Sequence, residues 1–126
     1  MPTRERVQEL VAAVKGGRYV EAIEAFYAED ATMQENLGAE RRGRQALIAG
    51  EKAVLERLSA METSEAGPVF IDGDQVVIRW VFQMTSPDGG VRRMDELALQ
   101  TWRGDRIVKE RFYYDPGQLA ATLPQP

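Results

Sequence analysis

The hydrophobic period of the chain changes near its middle, and this change constrains the fold more than any other feature. Up to about residue 60, apolar residues recur every three or four positions, which is typical of amphipathic helices. After about residue 67 they recur every second position, between turns that contain glycine, which is typical of antiparallel strands. Helices first and a meander of strands second predict an α+β domain, with the helices packed on one face of a curved sheet.

The first half predicts three helices and one extended segment. Apolar residues from Val7 to Val14 share one helical face, and Gly16-Gly17 ends this first helix. The second helix is predicted to continue to about Asp30, and the third to run from about Arg44 to Ala60. Between them, "ATMQEN" is predicted to be extended and residues 37–43 to form a loop.

The second half predicts four strands, at residues 67–71, 75–85, 91–102 and 107–114. The third of these has two faces that both mix polar and apolar residues, so alternation alone does not say which one points inward. The two faces are Glu96, Ala98, Gln100 and Trp102 on one side, and Asp95, Leu97, Leu99 and Thr101 on the other. If Glu96 points inward it needs a partner, and Arg79 or Arg111 would serve.

Composition excludes several kinds of chemistry. The chain contains no His and no Cys, so it has no Ser-His-Asp triad, no thiol nucleophile and no zinc site built on imidazole or thiolate. We therefore expect no metal and no organic cofactor. Any acid–base chemistry must come from carboxyl groups, Tyr, Lys or ordered water.

Length and charge limit the organisation and the partners. The 126 residues predict one domain, with a core at about 6–119 and a short tail at 120–126. A net charge of −4 argues against a nucleic-acid partner. No apolar run reaches the ~18 residues of a membrane span, and the N-terminus lacks an apolar signal segment. We expect a cytoplasmic protein with neither a membrane nor a nucleic-acid partner.

Two segments carry a family resemblance. "FYAEDATMQENLGAERRGRQAL" and "LALQTWRGDRIVKERFYYDPGQL" resemble the SnoaL-like branch of the nuclear transport factor 2-like superfamily, over about residues 6–119. That superfamily includes ketosteroid isomerases, limonene epoxide hydrolases and polyketide cyclases. The resemblance implies a cone-shaped, curved antiparallel sheet with a mixed edge and three N-terminal helices on its concave face. It also implies an apolar pocket and commonly a homodimer formed through the outer face of the sheet.

The resemblance carries over only some catalytic positions. Glu35 matches the general base of the ketosteroid isomerases, three residues after the Thr of the "AT" pair. The positions of their oxyanion hole fall at about Leu10 or Val11 and at about Ala98, which are apolar, so this hole is predicted to be absent.

The other two enzyme classes match less completely. Asp115, Asn36 and Arg79 match parts of the water-holding set of the epoxide hydrolases. The remaining members fall near Val81 and Gln34, so epoxide hydrolysis is not inferred. The Asp–His pair of the polyketide cyclases has no counterpart, because the chain has no His.

Two hypotheses follow for function. In the first, the protein is an acid–base isomerase, dehydratase, cyclase or hydrolase acting on a small, mostly apolar substrate, with Glu35 as general base. Asp115 would assist, although capping the turn at Pro116 is the simpler explanation of this residue. In the second, the protein is a non-catalytic ligand-binding or dimeric scaffold. A buried Glu35 beside a cavity favours the first, and a surface Glu35 favours the second. The predicted ligand-binding residues are Asn36, Trp80, Phe82, Ala98, Trp102, Phe112 and Tyr114.

Overall fold

A computed structural model describes residues 1–120 of the chain. The helices are α1 (Arg4–Lys15), α2 (Tyr19–Phe26), α3 (Arg44–Glu56) and the short α4 (Gly117–Ala120). The strands are β1 (Tyr27–Glu35), β2 (Arg41–Arg42), β3 (Ala60–Asp72), β4 (Gln75–Thr85), β5 (Val91–Arg103) and β6 (Arg106–Tyr113). Apart from its first residue, the predicted tail at 120–126 lies outside the described residues.

The six strands form one curved sheet in the order β2-β1-β6-β5-β4-β3. The β1–β6 pair is parallel and the other four pairs are antiparallel. The α+β class and the mixed edge predicted above are therefore confirmed. Among the described residues, no helix is long and apolar enough to cross a membrane.

Helices α1–α3 pack on the concave face of the sheet and form the core with it. Leu10 of α1, Leu47 of α3 and Ile78 of β4 are at most 2% exposed. Burying side chains of this size stabilises the fold by roughly 1.5–3 kcal/mol each. Tyr19 of α2 meets Phe82 of β4 edge to face, with ring centroids 6.0 Å apart. The helices touch the sheet mainly around the rim of this face and leave a space above its centre.

Four predicted element boundaries in the first 72 residues were wrong. Helix α2 ends at Phe26 rather than near Asp30, because Tyr27 already pairs with Ile107 of β6. Residues 41–42 form β2 instead of loop, since they pair with Thr32 and Met33. Helix α3 ends at Glu56 rather than Ala60, and β3 begins at Ala60 rather than at residue 67. In each case a cross-strand partner, distant in sequence, decided the local structure.

Candidate functional site

The space between the helices and the concave sheet face is a cavity of about 630 Å³, within the usual range for small-molecule sites. Its wall is mostly apolar and includes Trp80, Phe82 and Phe112. Every methionine except Met1 borders it, namely Met33, Met61, Met84 and Met94. Because methionine side chains are unbranched and polarizable, this wall can adapt to the shape of an apolar ligand.

Glu35 lies at the end of β1 on the mouth of the cavity. Its side chain is 51% exposed, and a carboxylate oxygen lies 3.5 Å from the guanidinium of Arg41. The hydroxyl of Tyr114 donates a hydrogen bond to its other oxygen at 3.1 Å. Burial of Tyr114, followed by the nearby charge of Glu35, raises the pKa of that hydroxyl to about 12. Glu35 therefore faces the cavity as an oriented, half-exposed carboxylate, without the desolvation expected of a buried base.

Glu96 points into the cavity from β5. The inward face of this strand, which alternation alone could not identify, is therefore the one that carries Glu96. It is 9% exposed, and among residues 1–120 no group donates a hydrogen bond to it. Neither expected partner reaches it. Arg79 lies on the outer face, 2.8 Å from Asp95, and Arg111 donates to the carbonyl of Asn36 at 2.9 Å. The prediction that an inward Glu96 would be paired with an arginine was wrong.

The carboxyl group of Glu96 is neutralised by binding a proton instead of by pairing with an arginine. Burial raises the pKa of Glu96 to about 8, and the nearby carboxyl groups of Glu110, Glu35 and Glu51 add to this effect. A carboxyl group desolvated beside other acids favours its neutral form, because ionisation would place another negative charge in a low-dielectric site. Near neutral pH, Glu96 is thus a protonated hydrogen-bond donor facing the cavity.

Glu110 on β6 is held by a chain of hydrogen bonds within the cavity wall. Burial raises its pKa to about 7. The hydroxyl of Tyr27 bonds to its Oε1, and Nε2 of Gln100 donates to its Oε2 at 2.7 Å. The indole N–H of Trp102 donates to Oε1 of Gln100 at 3.0 Å. Tyr27, Gln100 and Glu110 all border the cavity, so this chain of hydrogen bonds reaches the cavity.

Glu51 adds a fourth carboxyl group to the cavity from α3. Burial raises its pKa, while Arg41 lowers it and Glu35 raises it further. The cavity therefore combines an apolar wall with four carboxyl groups, from β1, α3, β5 and β6. Arg41, Arg57 and Arg92 also border the cavity and keep its total charge small.

The structure brings five of the predicted site residues to the cavity and leaves four outside its lining. Glu35, Trp80, Phe82, Phe112 and Tyr114 border it, although their roles toward a ligand stay predictions. The four outside are Asn36, Ala98, Trp102 and Asp115.

Each of those four side chains has a structural contact that accounts for it. Oδ1 of Asn36 accepts from the N–H of Tyr114 at 3.0 Å and so joins β1 to the end of β6. Ala98 is fully buried in the sheet, and Trp102 supports Gln100. Oδ1 of Asp115 accepts from the N–H of Gly117 at 2.9 Å, which is the capping contact that its sequence position also allowed.

Sequence reasoning missed Tyr27, Glu51 and Glu110 as cavity residues. Glu110 could have been found, because it shares strand parity with Phe112, which was predicted to face inward. Tyr27 was assigned to the second helix, and this concealed its inward direction. Nothing in the pattern of α3 distinguishes Glu51 from a solvated acid.

Residues 7–110 match the SnoaL-like domain family. The chain belongs to the SnoaL-like domain family. A solved candidate SnoaL-like polyketide cyclase from Mesorhizobium loti is 27% identical, with a TM-score of 0.75 over 87% of this chain and 97% of that one. Among curated proteins, the comparison found no significant match.

More distant solved structures share the SnoaL-like fold. A cystatin-like protein of unknown function from Xanthomonas campestris is 18% identical, with a TM-score of 0.80 over 94% of this chain and 95% of that one. TerC, crystallised with polyporic acid, is 19% identical, with a TM-score of 0.77 over 92% of this chain and 93% of that one. At these identities the likeness concerns the fold alone.

Proposed function

We propose that this SnoaL-like protein is an acid–base catalyst for a small, mostly apolar molecule that carries a carbonyl group. The observation that carries the proposal is Glu96, a buried carboxyl group with no hydrogen-bond partner among residues 1–120, which opens onto the same cavity as Glu35. A desolvated carboxyl group and an exposed, arginine-paired one that face the same cavity have the surroundings of a paired acid and base.

In this reaction the neutral Glu96 donates a hydrogen bond to the carbonyl oxygen of the substrate. The Glu35 carboxylate removes a proton from the carbon beside that carbonyl, and Glu96 stabilises the negative charge that develops on the oxygen. Tyr114 and Arg41 hold Glu35 in place. The family resemblance predicts no oxyanion hole, because the matching strand position, Ala98, is apolar. In this proposal Glu96, two residues away on the same strand face, supplies the donor instead.

Proton removal by this cavity is tested by exchange in heavy water. A panel of small aliphatic and aromatic ketones would be incubated with the protein, and loss of the hydrogens beside the carbonyl would be followed by proton NMR. The native protein should accelerate exchange for at least one ketone. Glu35→Gln should lower that acceleration by about 10²–10⁴-fold, the usual value of one general base, and Glu96→Gln should also lower it.

Glu29→Gln is the matched control, because Glu29 is an exposed acid on the same strand as Glu35 and does not border the cavity. It should exchange ketone hydrogens at the native rate. Equal rates in Glu35→Gln and the native protein would contradict the assignment of Glu35 as base.

The half-exposed position of Glu35 favours a second candidate function, non-catalytic binding of a small apolar or amphipathic ligand. Its pairing with Arg41 gives the carboxylate a structural role that needs no substrate. Under this function, ketones would bind and shift the NMR signals of cavity methyl groups, yet their hydrogens would exchange at the buffer rate.

A further inference from the structure

The hydrogen bonds around Glu110 have a fixed direction. An indole N–H can only donate, so Oε1 of Gln100 must be the atom that accepts from Trp102. This turns the amide N–H of Gln100 toward Glu110, whose Oε2 must then accept. Oε2 is thereby occupied in both charge states of the carboxyl group, and any proton that Glu110 carries lies on Oε1, against Tyr27.

The contact between Tyr27 and Glu110 therefore has two forms. When Glu110 is ionised, the Tyr27 hydroxyl donates to Oε1 and its proton is not available to a ligand. When Glu110 is protonated, Oε1 donates to the Tyr27 oxygen, and the hydroxyl proton of Tyr27 must turn toward another acceptor. Tyr27 is 6% exposed and borders the cavity, so a ligand oxygen there can supply that acceptor.

We propose that Tyr27 is a ligand-binding hydroxyl of this cavity, and that it offers its proton to a ligand oxygen only when Glu110 carries a proton. The ligand class is an apolar molecule with a carbonyl or similar acceptor oxygen. The inference rests on the proposed function only in taking the cavity as a ligand site. Gln100 and Trp102 are positioning residues, since they act on Tyr27 through Glu110.

Several charged groups face this pair and set its titration. Besides burial, Glu51 raises and Arg41 lowers the pKa of Glu110, and Tyr27 and Gln100 lower it by hydrogen bonding. Glu96 and Glu51 act on Tyr27 in the direction that keeps its hydroxyl protonated. The other ionisable side chains on the cavity wall are Tyr19, Glu35, Arg57, Arg92 and Tyr114. Because Glu96 titrates at a pKa of about 8, the test is made in a Glu96→Gln background.

The test uses the fluorescent ketone prodan and its parent naphthylamine, which lacks the propionyl group and so lacks the carbonyl acceptor. Dissociation constants are measured by fluorescence from about pH 6 to about pH 9. Prodan should bind more weakly as pH rises through the pKa of Glu110. Well above that pKa, its dissociation constant should increase by up to about tenfold per pH unit. The parent amine should show no such step.

Three variants in the Glu96→Gln background separate this inference from a general pH effect. Glu110→Gln keeps an N–H donor against Tyr27 at every pH, so prodan should bind with the tight, low-pH affinity throughout. Tyr27→Phe should bind weakly throughout. Glu51→Gln should move the step to lower pH without removing it, since Glu51 raises the pKa of Glu110.

The possible failures are distinguishable. A pH step that survives in Glu110→Gln, or native affinity in Tyr27→Phe, overturns the role of Tyr27 and leaves the cavity as a ligand site. If neither dye binds any variant, the cavity proposal fails, and the inference fails with it.

A measurement without ligand provides a second check. The NMR shift of the hydroxyl-bearing carbon of Tyr27 should follow the titration of the Glu110 carboxyl carbon with the same midpoint. Independent titrations would overturn the two-form contact.

Discussion

Glu96 links the stability of this SnoaL-like protein to pH. Its pKa is about 8 in the folded chain, against an ordinary value of 4.5, so the folded state binds more protons than the unfolded state between these values. Stability should fall as pH rises through this window, by up to about 1.4 kcal/mol per pH unit for one group. Glu110 contributes with the same sign up to its own pKa of about 7, so Glu96 dominates the fall between about pH 7 and pH 8.

Glu96→Gln should therefore leave stability near native at about pH 5 and raise it by a few kcal/mol at about pH 9, since a neutral amide replaces a buried charge. Urea unfolding followed by tryptophan fluorescence at several pH values measures this. Glu29→Gln should keep the native pH profile. A Glu96→Gln protein that loses stability as steeply as the native one above pH 7 would show that Glu96 is not the titrating group.

At the scale of elements, helix α3 carries Glu51 and Leu47 to the cavity. A glycine just before this helix and another inside it predict opposite mutational effects. Gly43 precedes the helix with a φ of +99°, a conformation that an L side chain adopts only with strain. Gly50 lies inside the helix, and an added Cβ would meet only the Arg41 guanidinium at 3.5 Å, an ordinary contact.

Gly43→Ala should destabilise the protein by about 1–2 kcal/mol. Gly50→Ala should stabilise it by about 0.5–1 kcal/mol, because Ala loses less entropy in a helix interior. Chemical denaturation of the two variants side by side measures both signs. A stabilising Gly43→Ala would contradict the positive φ at the start of α3.

At the scale of the whole molecule, the outer sheet face carries apolar side chains that the helices do not cover. Leu97 is 46% exposed and Tyr113 is 40% exposed, and the two are cross-strand neighbours on β5 and β6. The homodimer implied by the family resemblance stays a prediction, and this patch is where we expect the second copy to pack.

Leu97→Arg should convert the dimer to a monomer, because two added charges would face each other across the interface at a high desolvation cost. Analytical ultracentrifugation measures the change. Leu37→Arg is the control: Leu37 is 87% exposed but lies in a loop outside the sheet. A native protein that sediments as a monomer would refute the expected dimer.

The sequence alone determined the fold class. The spacing of apolar residues reflects the local geometry of helices and strands, and it can be read from one sequence. It located the inner face of α1 and five wall residues that include Glu35 and Tyr114. It could not locate β2 or the start of β3, since Arg41 and Ala60 become strand residues only through partners distant in sequence.

Tertiary structure alone decided the chemistry of the cavity. Nothing in the sequence distinguishes the proton affinity of Glu96 and Glu110 from that of the other acids of the chain. Their proton affinity depends on how much water the fold removes and on which groups it brings near them. Both side chains point inward from the sheet. Glu110 has two hydrogen-bond partners there, Tyr27 and Gln100, whereas Glu96 has none among the described residues. Periodicity can predict the direction of a side chain, but burial and neighbours, which only the folded chain defines, determine its charge.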